Sequence, residues 1–292
     1  MSAATGNKMT AFDYVNYLLL LAFSLLCLFP FFYVISVSLT DPGVYKPFTF
    51  TLIPAKFSLR SYEYILGSIN FRNALYSTVY ITVIGTLLNL VFTFTMAYGL
   101  TKKELPHRNL IMASVIFTLV FNAGIVPNFL LVKSLGLLNS YWALIWSAMI
   151  NSFNLIVVKS FLQTLPEELE DAAKIDGCND LGVFFKIVLP LSLPAVAAFT
   201  LFFAVTHWNT YFNALIYLSD AKKWTLQLLV KSLIMDANAN SVQGSLGDAD
   251  QILPQETIRL AAVVVAMLPI LVVYPFLQKY FAKGVLLGSV KG

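Results

Sequence analysis

Residues 14–37 of this chain run for 24 positions without one charged side chain. A segment crossing lipid must satisfy every backbone N–H and C=O internally, and a helix of about 20 apolar residues does this over the roughly 30 Å of hydrocarbon. Further stretches of this kind lie at 74–98, 110–131, 141–162, 191–218 and 258–281. They predict an all-α membrane protein of six transmembrane helices in a single transmembrane domain, residues 1–292. The first stretch exceeds the ~7–15-residue apolar core of a secretory signal and has no small-x-small cleavage site after it, so it reads as a retained span. Composition agrees: 58% of residues are hydrophobic and 12% charged, against about 45–50% and 25% in soluble domains.

Six spans place both termini on one side of the membrane, together with the connections near 101–109 and 164–190. The other side receives 38–73, a short turn near 132–140, and the long loop 219–257. Lys and Arg divide ten to nine between the sides. The short connections decide, because the positive-inside bias acts through them. Lys102, Lys103 and Arg108 crowd one, and only Lys133 lies in the other, so both termini are expected in the cytoplasm. The tract 236–253, rich in Asn, Asp, Ser and Gly, has no periodicity and reads as flexible or ordered by a partner. A net charge of +4 does not build a nucleic-acid surface. Cys27 and Cys178 offer no disulfide framework.

No P-loop, GxGxxG, HExxH or paired Cys/His spacing occurs in the sequence. His107 and His207 are its two histidines, too few for a metal or nucleophile site inside the membrane. The chain is therefore expected to hold no ATP-hydrolysing site, no cofactor and no metal.

Between the fourth and fifth stretches lies DAAKIDGCNDLGVFFKIVLP, residues 171–190. Pro166 with Glu167, Glu168 and Glu170 reads as a helix start, Gly177 as its stop, and Asn179 or Asp180 as the cap of a second short helix containing Val183, Phe184, Phe185 and Ile187. Pro190 and Pro194 are expected to end that helix and open the fifth span. Bare phenylalanines beside six acids suit a protein partner, the alternatives being an amphipathic turn on the membrane or burial under residues 101–109.

The spacing Asp171-Ala172-Ala173, Gly177, Ile187, Leu189-Pro190 resembles the EAA motif of ABC-importer permease subunits, and Lys174-Ile175-Asp176-Gly177 its sugar-importer form. Aspartate stands where the family usually has glutamate. Phe121 to Pro127, Leu135 to Ser140, and Trp208-Asn209 with Leu215-Ile216 resemble permeases of the maltose-transporter class. The segment His207 to Leu218 and the tail Lys283 to Gly292 are similar to the subgroup for complex oligosaccharides and polysaccharides, which includes alginate importers. Ala214 replaces a common proline, which leads us to expect a straighter fifth span.

The resemblance implies a type I importer permease (MetI-like) fold in the bacterial inner membrane. It implies as partners a second permease subunit in a heterodimer, two ATPase subunits that bind ATP and Mg, and an extracytoplasmic sugar-binding protein. Asp171, Ala172, Ala173, Gly177, Val183, Phe184, Phe185, Ile187 and Pro190 would then couple the chain to the ATPases, with Phe184 and Phe185 as anchors. Loop 219–257 would approach the binding protein through Trp224 and the tract from Asn238 to Asp250, unless it is an ordinary mobile loop. The tail 284–292 touches the ATPases or simply ends the chain.

Read as one helix, the fifth span puts Thr206, Asn209, Thr210, Asn213 and Tyr217 within an arc of about 100°, a candidate sugar path. Asn151 and Asn154 extend that lining or join helices. His207 points away from the arc and is assigned to packing. A stand-alone carrier or channel is the rival function, but the spans hold almost no acids or bases of the sort an ion path needs.

Overall fold

The computed structural model describes residues 10–46, 49, 52–235 and 255–289. In chain order the helices are α1 (Ala11–Ser38), α2 (Arg60–Gly67), α3 (Ile69–Thr101), α4 (Arg108–Val120), α5 (Ile125–Ser134), α6 (Tyr141–Ser147), α7 (Ser152–Leu162), α8 (Glu167–Ile175), α9 (Asp180–Leu191), α10 (Leu193–Trp208), α11 (Phe212–Tyr217), α12 (Leu226–Met235) and α13 (Gln255–Ser289). The chain divides into two compact units, one of residues 1–68 and 236–265, the other of 69–235 and 266–292.

In the first unit, α1 starts at a capping box. The Thr10 hydroxyl accepts from the Asp13 N–H at 3.4 Å and the Asp13 carboxylate accepts from the Thr10 N–H at 2.7 Å, satisfying two donors that a helix start leaves free. The strand-like return after α1 is pinned by Asp41, whose carboxylate lies 2.8 Å from Lys56 Nζ. Lys56 and the Gly43 N–H hold that carboxyl below its ordinary pKa. The Ser38 hydroxyl lies 2.6 Å from that of Tyr62, and the Tyr45 hydroxyl donates to Glu256.

The second unit is organised on α3, a 33-residue helix that packs against α10 and α7. Between the buried Phe71 at one end and Phe94, Tyr98 and Leu100 at the other, its buried face carries Ile81 and small and polar residues, among them Ser77, Thr78, Gly85, Thr86, Asn89 and Thr93. Small residues let backbones approach, and hydroxyls or amides can bond across helices where no water competes. Ser77 and Tyr141 hydroxyls meet at 2.7 Å, the Thr78 hydroxyl accepts from the Leu226 N–H at 2.7 Å, and Asn89 Nδ2 donates to the Ala148 carbonyl at 2.8 Å.

The six expected spans do not all form as single straight helices. Among the described residues three helices are long and apolar enough to cross, Ala11–Ser38, Ile69–Thr101 and Glu256–Val273. The expected 110–131 is two helices, α4 and α5, separated at Phe121–Gly124. Gly124 has φ 86° and its N–H bonds the Asn122 side chain at 2.9 Å. The positive-φ Gly124 backbone breaks the helical path, and Pro127 lies in the first turn of α5, where its missing N–H costs no helical bond.

The expected 141–162 bends by 52° between α6 and α7, where the Asn151 side chain caps α7 by accepting from the Asn154 N–H at 3.0 Å. The fifth span bends by 82° at Ser192 and stops again after Trp208. Ala214 therefore does not straighten it, since the interruption precedes that residue. The sixth helix, α13, passes through Pro269 and Pro275 unbroken.

Candidate coupling loop and transport path

The loop before the fifth span folds as two short helices meeting at a glycine. Glu167, Glu168 and Glu170 occupy the first turn of α8, where the positive end of the helix dipole favours them. Gly177 has φ 84°; its N–H bonds the Lys174 carbonyl and the Cys178 N–H reaches back to Ala173, each at 3.0 Å. That pair of bonds closes the helix in the left-handed conformation glycine adopts without a Cβ penalty. The Asn179 side chain then caps α9, accepting from the Gly182 N–H at 2.8 Å.

Pro190 does not end α9, contrary to expectation. The helix widens into a π turn at Phe184–Val188, in which the Leu189 N–H bonds the Phe184 carbonyl five residues back, and runs on to Leu191. The bend falls at Ser192 instead.

A brace ties this loop to α3. Lys102 Nζ forms an ion pair with Glu170 and sits 4.3 Å above the Tyr98 ring, while the Tyr98 hydroxyl donates to Glu170 at 3.2 Å. Burial alone would lower the Lys102 pKa, but Glu170 and Tyr98 outweigh it and hold the ammonium above its ordinary value. Lys103 to Glu167, at 3.9 Å, and Lys174 to Asp180, at 3.5 Å, are exposed pairs of the kind that contributes about 0–1 kcal/mol.

Phe184 is 4% exposed, with its ring centroid 5.1 Å from that of Tyr98, and belongs to the core formed by Phe94, Val158, Phe199 and their neighbours. It cannot be a docking anchor; the chain's own α3, rather than loop 101–109 alone, covers it. Val183 is wholly buried and Ala173 nearly so, while Ile187 is half-buried. Phe185 remains available at 58% exposure, joined by two residues that sequence reasoning missed, Ile175 at 87% and Leu181 at 68%. Asp171, Ala172 and Pro190 are exposed. The loop thus presents three exposed apolar side chains and several carboxylates, while Phe184 fixes it to the core.

The polar arc of the fifth span does not survive as one stripe. Because α10 ends at Trp208 and α11 begins at Phe212, the angular phase of the two pieces differs. Thr206 and Asn209 are exposed and Thr210 half-buried, its hydroxyl donating to the Thr206 carbonyl at 3.2 Å. Gln227 joins them by donating to Asn209 Oδ1 at 3.3 Å. Asn213 is half-buried, whereas Tyr217 is buried against Phe129, with centroids 6.4 Å apart, and leaves the set. Asn151 is exposed at its cap and Asn154 half-buried.

His207 packs as expected: it is 1% exposed, with Nε2 3.1 Å from Asn89 Oδ1. Trp224 is half-buried against the cluster around Ile81 and Leu144. Asn238 and Asp250 lie outside the described residues.

Residues 95–287 match the family described as the inner membrane component of binding-protein-dependent transport systems, and the chain belongs to that family. It is a multi-pass membrane permease of an ATP-driven importer and not itself an enzyme. It is 49% identical to the polygalacturonan/rhamnogalacturonan transport system permease protein YtcP of Bacillus subtilis, over 98% of this chain and all of that one. Protein LplC of the same organism is 46% identical, over 96% and 95%. A crystal structure of a bacterial ABC transporter involved in the import of the acidic polysaccharide alginate superposes with a TM-score of 0.87 at 33% identity, covering 94% of this chain and 99% of that one.

Proposed function

We propose that the chain is one of two permease subunits that pass fragments of an acidic, uronate-containing polysaccharide inward across the bacterial cytoplasmic membrane. The observation that carries this reading is the pair of relatives at 49% and 33% identity, each matched over almost its full length, whose names join them to polygalacturonan and to alginate. Both polymers bear carboxylates.

Loop 164–190 seats on a separate ATPase, with Ile175, Leu181 and Phe185 as its apolar contacts and Asp171 as its ion-pair partner. Closure of two ATPase copies around ATP and Mg moves the loop, and the Lys102–Glu170–Tyr98 brace carries that motion to α3. A second, different permease completes the path. An external binding protein delivers the cargo toward Trp224 and the tract containing Asn238 and Asp250. Thr206, Asn209, Thr210 and Asn213 face the passing sugar. Both termini lie in the cytoplasm; the bond between Lys102 and Glu170 supports this by putting the basic connection and the coupling loop on one side.

Purified importer, reconstituted with its second permease, ATPases and binding protein, tests the cargo. Tetragalacturonate or an alginate tetrasaccharide is expected to stimulate ATP hydrolysis at least about tenfold more than maltotetraose, a difference of ~1.4 kcal/mol. Equal stimulation by maltotetraose would overturn the uronate reading.

A further inference from the structure

Of the interrupted spans, the third and fourth have breaks that open onto the same groove. A cavity of about 820 Å³ within the second unit is lined by Phe121, Asn122 and Ala123 from the gap between α4 and α5, and by Ile150 and Asn151 from the gap between α6 and α7. Non-helical backbone at membrane depth persists only where protein buries it or water reaches it. Here Phe121, Asn122, Ala123 and Asn151 are all exposed, so the chain itself does not bury these gaps.

The wall has a particular chemistry. Amides project from Asn122, Asn128 and Asn151, and the Thr118 and Ser152 hydroxyls meet at 2.9 Å on the same wall. Phe121 and Phe153 add exposed rings, with Phe117 stacked behind Phe121 at 5.2 Å between centroids. Among the described residues no lysine, arginine, aspartate or glutamate lines the cavity. The Asn122 and Asn151 amide oxygens already accept from the Gly124 and Asn154 N–H groups, but lipid would leave their NH2 donors and the Asn128 amide without partners, at a cost of several kcal/mol for each unpaired group. An all-protein cover would usually be met by a drier, more uniformly apolar surface.

A pyranose ring offers what such a wall can bind: hydroxyls that donate and accept at its edge, and C–H groups on its face for aromatic rings. An amide supplies both a donor and an acceptor, which suits a hydroxyl and not a carboxylate alone. A carboxylate recognised here would call for a cation or a fork of donors, and the groove has neither.

We propose that this groove is a sugar subsite on the translocation path that grips the hydroxyl edges and ring faces of the cargo and leaves its carboxylates unread. This rests on the reading that the cargo is a glycan. Acid selectivity then belongs to another component, and the path through this subunit is indifferent to esterification.

Single cysteines test it in the complete reconstituted importer after Cys27→Ser and Cys178→Ser. Asn128→Cys sits in the groove and makes none of the bonds that shape either gap. Leu130→Cys, exposed on α5 but outside the groove, is the control. Asn128→Cys is expected to react with a charged, water-soluble methanethiosulfonate while Leu130→Cys does not. Tetragalacturonate and its methyl ester, each at about ten times its dissociation constant with binding protein and vanadate-trapped ATP, should slow that reaction about tenfold alike.

No reaction at Asn128→Cys would overturn the proposal, because lipid or the second permease then covers the groove. Reaction unaffected by either sugar overturns it too, and protection by the acid form alone overturns the neutral-face assignment. If the wild-type importer answers only to maltotetraose, the cargo reading has failed, and maltotetraose becomes the protecting sugar for the same measurement.

Discussion

Replacing Ile175, Leu181 and Phe185 together by serine is expected to strip the ATPase subunits from the purified importer while the chain stays folded. Each side chain is more than half exposed, so its removal leaves no cavity in this protein. On docking, each fully covered large apolar side chain contributes about 1.5–3 kcal/mol. Even partial covering of three gives a loss near 4 kcal/mol, or about a thousandfold in affinity. The readout is the amount of ATPase retained on a tagged permease, with sugar-stimulated hydrolysis lost in parallel.

Phe184→Ser provides the contrast. That ring is buried against Tyr98 within the chain's own core, and emptying such a site costs about 3–5 kcal/mol of stability. It should lower the thermal midpoint of the permease itself, whereas the exposed triple variant should not. If Phe184→Ser left stability unchanged and abolished docking, the assignment of the two phenylalanines would be reversed.

The second large effect concerns Gly85. A Cβ there would lie 2.5 Å from His207 Nε2 and 2.6 Å from Cε1, well inside contact distance. The imidazole has nowhere to retreat, being buried and bonded to Asn89, whose amide also holds the Ala148 carbonyl where α6 gives way to the bend. Gly85→Ala is therefore expected to cost about 1–3 kcal/mol by overpacking and to disturb the fourth span at its break.

His207→Ala removes the obstacle. The double variant Gly85→Ala with His207→Ala should be more stable than additivity predicts, with a coupling of about 1–3 kcal/mol, measured as thermal midpoints in detergent. Strict additivity would show that the two residues do not meet.

The parts of the fold legible in the sequence were those written in local chemistry. The long apolar runs at 14–37, 74–98 and 258–281 lie within the helices Ala11–Ser38, Ile69–Thr101 and Gln255–Ser289, and Gly177 and Asn179 close and reopen the short helices of the loop at 164–190 where their backbone and capping chemistry require. The interruptions were hidden because hydropathy averages over about 19 residues, and Asn122, Gly124 and Asn151 are too few to dent that average. Asn122-Ala123-Gly124 followed by Pro127 was nonetheless a usable signal, since glycine readily takes the positive φ found at Gly124 and proline suits the first turn of a new helix.

Burial within the coupling loop was less accessible. Which of two adjacent phenylalanines turns inward depends on Tyr98, which is far away in sequence, and on a π turn that shifts the phase of the helix. Ile175 and Leu181 went unnoticed because α8 and the first turn of α9 are too short to display an apolar period. The fifth-span arc failed for the related reason that angular projection assumes one unbroken helix, while Asn209 to Tyr211 interrupt it.

The proposed transport function depends on the loop at 164–190 seating in a nucleotide-hydrolysing partner. A photoactivatable amino acid placed at Leu181 in the intact importer, followed by mass spectrometry of the adduct, examines that contact directly. An adduct with the ATPase subunit, strengthened when vanadate traps the closed state, is the expected result. Adducts formed only with lipid or with the second permease would contradict it.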